Sequence, residues 1–173
     1  MELKEKIKPL ITALVIALIT GCGYHIAGTG KNPYKHLHTI HVQILNNVSD
    51  EPLIQRELTD SIRNAFLTDA RLALEDSNKA DLVLKGTIIN YKIRPVAFNA
   101  DDIAIEYIIT IGVKILVKDQ IKKRIHLREK LKTYWDYRAR QAIVTAEANR
   151  QEALQEAYQD LATQVVSLVI DKF

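Results

Sequence analysis

The sequence predicts an α+β fold: a two-layer sandwich with a mostly antiparallel four-stranded sheet and two helices on one face, in the order β-α-β-β-β-α. Three observations predict it. Long segments between Asp81 and Trp135 alternate apolar and polar side chains across short connections, the pattern of an antiparallel meander. Two other segments repeat apolar residues at helical spacing. Two helices cover only one face of such a sheet, so the opposite face is left open, and function is to be sought there.

The chain starts with Lys4, Lys6 and Lys8, followed by an apolar run from Leu10 to Ile19. That run is too short to span a bilayer as a helix, which needs roughly 20 residues, and it has the flanks of a secretory signal. It closes on Ile19-Thr20-Gly21-Cys22, a lipobox. Residues 1–21 are expected to be a lipoprotein signal peptide. Cys22 is expected to carry a diacylglycerol and, after cleavage, an acylated amine. Several acyl chains, at about 0.8 kcal/mol per buried CH2, anchor a protein stably where one is marginal. Apart from this covalent lipid on Cys22, no cofactor is expected. Cys22 is the only cysteine, so a disulfide within the chain is impossible. Gly23 follows it; an Asp there favours inner-membrane retention in enteric bacteria, so Gly23 permits sorting to the outer membrane.

Residues 22–38 are rich in Gly, Asn and Pro and read as a tether, and residues 39–173 read as one α+β domain. The apolar fraction of 47% is ample for a core. A formal charge of +3 gives no sign of nucleic acid, and an envelope address argues against it.

Thr39 to Leu45 alternates, with Ile40, Val42 and Ile44 on one side, and is a strand. Asn46 to Asp50 is a turn. Pro52, behind Asp50 and Glu51, suits a helix start, and Ile54, Leu58, Ile62, Ala65 and Phe66 carry the helix to about Thr68. Arg71 to Leu74 adds a short extended piece. Asp81 to Arg94 is a strand whose apolar parity changes: Leu82, Leu84 and Ile88 share one phase, Ile89, Tyr91 and Ile93 the other. A bulge near Gly86 to Ile89 is therefore expected. Pro95 to Asp102 is a loop. Ile103 to Lys118 is the clearest strand, with every odd residue apolar or aromatic. Lys123 to Trp135 is the last strand. Ala142 to Asp171 is a helix with Leu154, Ala157, Tyr158, Leu161, Val165 and Leu168 on one stripe.

In the last strand Ile125, Leu127 and Leu131 point to the core, and Arg124, His126, Arg128, Lys130, Lys132 and Tyr134 take the other parity. Four permanent cations then line one side at about 7 Å steps. Lys114 and Lys118 share the outward parity of the preceding strand, and Lys92 and Arg94 lie outward on the one before. A row of cations suits a phosphate-bearing partner. The plainer account is that these side chains solubilise the protein and guard a sheet edge.

Other candidates are weaker. His36, His38 and His41 lack the carboxylate or thiolate company of a metal site, and none is expected. Asn99, Asp101 and Asp102 lack calcium-loop spacing and suit a turn. Tyr134, Trp135 and Tyr137 suit an interface, a membrane-proximal belt or a cap on the core. No nucleophile elbow or Gly-rich phosphate loop occurs, and no enzymatic activity is expected.

The words Cys22-Gly23-Tyr24-His25-Ile26-Ala27-Gly28, then Ile40-His41-Val42, Asn47, the helix from Asp50 to Thr68, Arg71 and Ala80-Asp81-Leu82-Val83-Leu84-Lys85-Gly86 follow one another in order. Together they resemble the LPS-assembly lipoprotein LptE family, whose members open Cys-Gly-[Tyr/Phe]-His-Leu-x-Gly. Two departures stand out: Leu45 replaces an expected aromatic, and the last strand is unusually basic. The resemblance implies an outer-membrane lipoprotein that plugs and helps assemble the LptD β-barrel for lipopolysaccharide transport to the cell surface. It implies a domain on the periplasmic side or within the barrel lumen, with the barrel, lipopolysaccharide and the outer membrane as partners. On that reading Lys92, Arg94, Arg124, Arg128, Lys130 and Lys132 bind glycolipid phosphates or acids lining the barrel. The competing reading is a lipoprotein that activates a peptidoglycan synthase or another envelope complex. A tether of some 15 residues reaches only about 50 Å at full extension, which favours a partner in the membrane itself. A hydrolase or small-molecule binder would need a pocket of convergent polar groups, of which the sequence gives no sign.

Overall fold

The computed structural model describes residues 36–139 and 143–171. The expectations on the signal peptide, Cys22 and most of the tether lie outside these residues. The elements are β1 (Thr39–Val42), β2 (Asn46–Asn47), α1 (Ile54–Asp69), β3 (Ala73–Leu74), β4 (Leu82–Phe98), β5 (Ala104–Asp119), β6 (Arg124–Arg138) and α2 (Ile143–Asp171). The α+β class and the helices match the sequence reading, but the sheet is six-stranded and mixed. Its order is β3-β1-β4-β5-β6, with β2 also on β4. The long strands β4, β5 and β6 form the expected antiparallel meander, whereas β1, β2 and β3 pair in parallel.

The two extra strands arise because β4 is long and β1 covers only its first residues. The chain leaving β1 runs on along the same edge, so Asn46 and Asn47 pair with Thr87 and Ile88 rather than forming the turn expected there. The turn proper comes next and is built by the Asn47 side chain. Its Oδ1 accepts from Ser49 N–H and its Nδ2 donates to the Glu51 carbonyl at 2.6 Å. The short extended piece after α1 is β3, which closes the other edge of the sheet beside β1.

Helix α1 starts two residues after Pro52. Leu53 stands at its N-cap with φ 66° and no side-chain cap, and Arg56 N–H reaches the Leu53 carbonyl at 3.0 Å. Burial of Ile54, Leu58, Ile62 and Phe66 against the sheet supplies what capping does not. Ala70, at φ 59°, ends the helix by donating to the Phe66 carbonyl. Helix α2 lies beside α1 on the same face. It buries Leu154, Ala157, Tyr158, Leu161, Val165 and Val169.

Strand β4 also runs past its expected end, through Pro95 to Phe98. β1 and β2 pair with β4 only as far as Ile88, so beyond that point β4 has, among the described residues, β5 alone as a paired strand. A proline costs no ladder hydrogen bond on such a bare edge, and register shifts flank Ala97 just after it. The expected loop shrinks to the turn around Asn99, whose Oδ1 accepts from Asp101 and Ile103 N–H. The parity change in β4 is present: the register steps from Ile88 to Asn90, leaving Ile89 bulged. Gly86 is not the bulge. It lets Leu45 approach, since a Cβ there would stand 2.6 Å from Leu45 Cγ.

The core lies between the sheet and the helices. Ile109, Ile111, Val113, Ile115 and Val117 of β5 are all buried in it, and so is Leu37 ahead of β1. Asp81 fixes the start of β1 against β4. Its Oδ2 accepts from His38 N–H at 2.7 Å and Thr39 N–H at 3.1 Å, while Asp81 N–H donates to Thr39 Oγ1. Burial pushes this carboxyl up, but the bonds from His38 and Thr39 outweigh it and hold it below the usual carboxylate range.

Replacing Gly86 by valine should force Leu45 aside and lower stability by about 1–3 kcal/mol, read by urea unfolding. Asp81→Ala should cost about 2 kcal/mol at neutral pH through its charged hydrogen bonds. Because the folded pKa is depressed, that difference should be full above the unfolded carboxylate range of about pH 4 and shrink as pH falls through the lowered value. A gap unchanged at acid pH would contradict it.

Candidate functional site

Both helices sit on the face carrying Leu84, Ile88, Val113, Val117 and Leu127. Bonds from the helices confirm the side. Arg150 of α2 donates to Tyr91 Oη at 3.1 Å, and Thr133 Oγ1 donates to Asp160 at 2.6 Å. Residues directly opposite in an antiparallel pair share a face. The register therefore lays out the uncovered face in rows across β4, β5 and β6. These are Lys85–Leu116–Arg128, Thr87–Lys114–Lys130, Asn90–Gly112–Lys132 and Lys92–Thr110–Tyr134. Lys118 flanks them at one end beside Ile125. Across this whole stretch the face carries Lys and Arg and no acid. Acids enter only beyond it, at Asp136 and Glu106, beside Arg94 and Arg138.

The cations are close-set. Lys130 lies directly opposite Lys114, with Arg128 and Lys132 the next residues on its own side of the strand. Like charges directly opposite in a sheet repel. Lys132 Nζ rests 4.8 Å from the centre of the Tyr134 ring, a cation–π contact that turns part of this charge toward the aromatic. The floor between the charges is half-buried aliphatic, with Ile89, Ile108 and Leu116, and narrows to Thr110 and Gly112 at the centre. Such a surface offers charge for anionic groups and apolar ground between them.

The structure thus sets Lys92, Arg128, Lys130 and Lys132 on one face with Lys114 and Lys118, as expected, adds Lys85, and puts Arg94 one row beyond, across β5 from Asp136. It does not bring Arg124 to them. The β5–β6 register steps from Val117–Leu127 to Lys118–Ile125, so His126 is bulged and parity reverses before it. Ile125, expected in the core, is on the uncovered face and 50% exposed. Arg124 pairs with Asp119 on the helix side, its Nε 3.8 Å from the buried carboxylate. His126 turns from the outward row to the backbone of Val169 in α2, and its pKa is lowered, first by burial. No sequence signal marks this bulge, because Arg124 to His126 carries no glycine and no break in alternation. Lys85 was legible as outward once Leu84 was assigned to the core.

The remaining candidates resolve into structure. His41 Nδ1 bonds the Glu75 carbonyl, and among the described residues no three His, Cys, Asp or Glu side chains gather as a metal site. Tyr107 and Tyr137 stack at 5.3 Å on the covered side, while Tyr134 alone of the aromatic cluster is on the uncovered face. No helix among the described residues is long and apolar enough to cross a membrane.

A family model described as LptE, lipopolysaccharide-assembly, matches residues 37–169, from buried Leu37 into the last turns of α2. The chain belongs to the LptE family. No curated protein matches it. Solved structures with a similar fold include a minor lipoprotein from Acinetobacter baumannii, at 17% identity and TM-score 0.53 over 78% of this chain and 93% of that one. An uncharacterized lipoprotein B from Nitrosomonas europaea is similar at 13% identity and TM-score 0.56, over 79% and 84%. A lipoprotein from Caulobacter crescentus is similar at 11% identity and TM-score 0.52, over 74% and 89%. At these identities the likeness is one of fold. The basic uncovered face of this LptE-family chain is a matter of its own side chains.

Replacing Lys130 by threonine should remove the repulsion with Lys114 and raise stability by about 0.2–1 kcal/mol at low salt. The gain should shrink at high salt, where surface charges are screened. Urea unfolding at two ionic strengths reads both.

Proposed function

We propose that this protein is a non-catalytic outer-membrane lipoprotein, anchored by acyl chains on Cys22, that plugs and helps assemble an LptD-type β-barrel and contacts lipopolysaccharide through its uncovered sheet face. The observation that carries the reading is the acid-free run of cations from Lys85 and Lys92 through Lys114 to Arg128, Lys130 and Lys132, on a chain of the lipopolysaccharide-assembly family. Lipid A phosphates are dianionic at neutral pH and match closely spaced guanidinium and ammonium groups. The aliphatic floor between the charges suits the saccharide and acyl portions of such a ligand. The helix-covered face is closed by its own core, so the contact falls to the open face. A barrel lumen is polar, so the same cations suit acids on its wall.

The test is the double reversal Arg128→Glu, Lys130→Glu in the full chain. Both side chains are exposed, so the fold should be kept, as circular dichroism checks. Binding to purified lipopolysaccharide should fall by more than about tenfold, and the salt dependence of what remains should flatten. Co-purification of the barrel from detergent-solubilised outer membrane reports the second partner. Unchanged binding to both would overturn the role of this face, and recovery of a peptidoglycan synthase in place of a barrel would overturn the plug reading.

A further inference from the structure

Among the described residues, no helix packs on the uncovered face of the sheet, and no strand pairs with the outer edge of β6. β6 is the last strand in the sheet order and pairs only with β5 among the described residues. A strand turns its N–H and C=O groups alternately to either side, so about seven of its residues direct theirs away from β5. At one end the edge is disturbed by the bulge at His126, and at the other Asn149 Nδ2 closes the Arg138 carbonyl at 2.6 Å. Between them, from Leu127 to Tyr137, the register with β5 is unbroken and the strand holds no proline. That is a regular template for one more strand.

Charge decides which strand. In edge-to-edge registers centred on Lys130, a second copy of this chain would set Arg128, Lys130 and Lys132 against the same cations, which is repulsive. An extended segment with acids at alternate positions would set its acidic residues directly opposite those cations, with Cβ atoms about 5 Å apart, within reach of ion pairing. It would also relieve the repulsion stored between Lys130 and Lys114. We propose that the Leu127–Tyr137 edge of β6 takes up an extended acidic segment of a partner protein by strand addition. Backbone pairing supplies affinity, and Arg128, Lys130 and Lys132 select acidic side chains at every second position. This uses the edge backbone and does not rest on the glycolipid reading, so either can fail alone.

The test uses the full chain in detergent and three capped peptides of about ten residues, long enough for one strand. One alternates Glu and Thr, one alternates Lys and Thr, and one has the charge of the first but two central prolines. The first should bind and slow amide exchange at alternate residues between Leu127 and Tyr137 by more than about tenfold, the second should not bind, and the third should bind about tenfold more weakly than the first. Lys130→Glu with Lys132→Glu should turn the preference toward the Lys peptide. Equal binding of the two acidic peptides would mean attraction by charge alone and overturn the proposal, as would no binding or protection confined to other strands.

Discussion

The inner face of β5 is the constraint on which the rest of this molecule depends. Ile109, Ile111, Val113, Ile115 and Val117 are alternate residues of one strand, all buried under the helices. Each contributes about 1.5–3 kcal/mol by leaving water, so the strand cannot slip by one residue without exposing the whole row. Its neighbours are held in turn: Leu84 and Ile88 on one side and Leu127 and Leu131 on the other stand opposite these residues. Once the row is committed to the core, the intervening residues of all three strands are committed to the opposite face. The basic surface is therefore a by-product of packing geometry as much as of composition.

Polar contacts at the rim keep the helices in place over that row. Arg150 of α2 reaches Tyr91 on β4, Glu51 ahead of α1 and Glu147 one turn back. Glu147 is held at about 2 by its bonds from Arg150 and Gln151. At the far end Arg71 joins Asp69 at the end of α1 to Asp171 at the end of α2. Some of these pairs are part-buried and some exposed; exposed ones add little stability singly, and together they tie the two helices to each other and to β4. The covered face is thus closed at both ends, and among the described residues the uncovered face and the β6 edge carry no further element.

Those two surfaces share Arg128, Lys130 and Lys132 but present them differently. Across the face they stand among half-buried aliphatics and suit a ligand that is anionic in places and apolar between. Along the edge they flank open backbone groups and suit a strand. A family role in lipopolysaccharide assembly fits a domain whose surface suits such ligands.

Local sequence determined the class, the two helices, the meander and most of the basic row, because 2-residue and 3.6-residue periodicities are written residue by residue. It also located the β4 bulge, since the apolar phase passes from Leu84 and Ile88 to Tyr91 and Ile93, which cannot share one face without it. What it could not reach depends on partners distant in the chain. Asn46–Asn47 and Ala73–Leu74 are strands only because β4 and β1 lie beside them. β4 passes through Pro95 where, among the described residues, no strand pairs with its outer edge. Arg124 leaves the basic row because the β5 register forces a bulge at His126, where the sequence itself keeps strict alternation. Side-chain parity is a local property, whereas register and edge position belong to the assembled sheet, and they decided which cations meet.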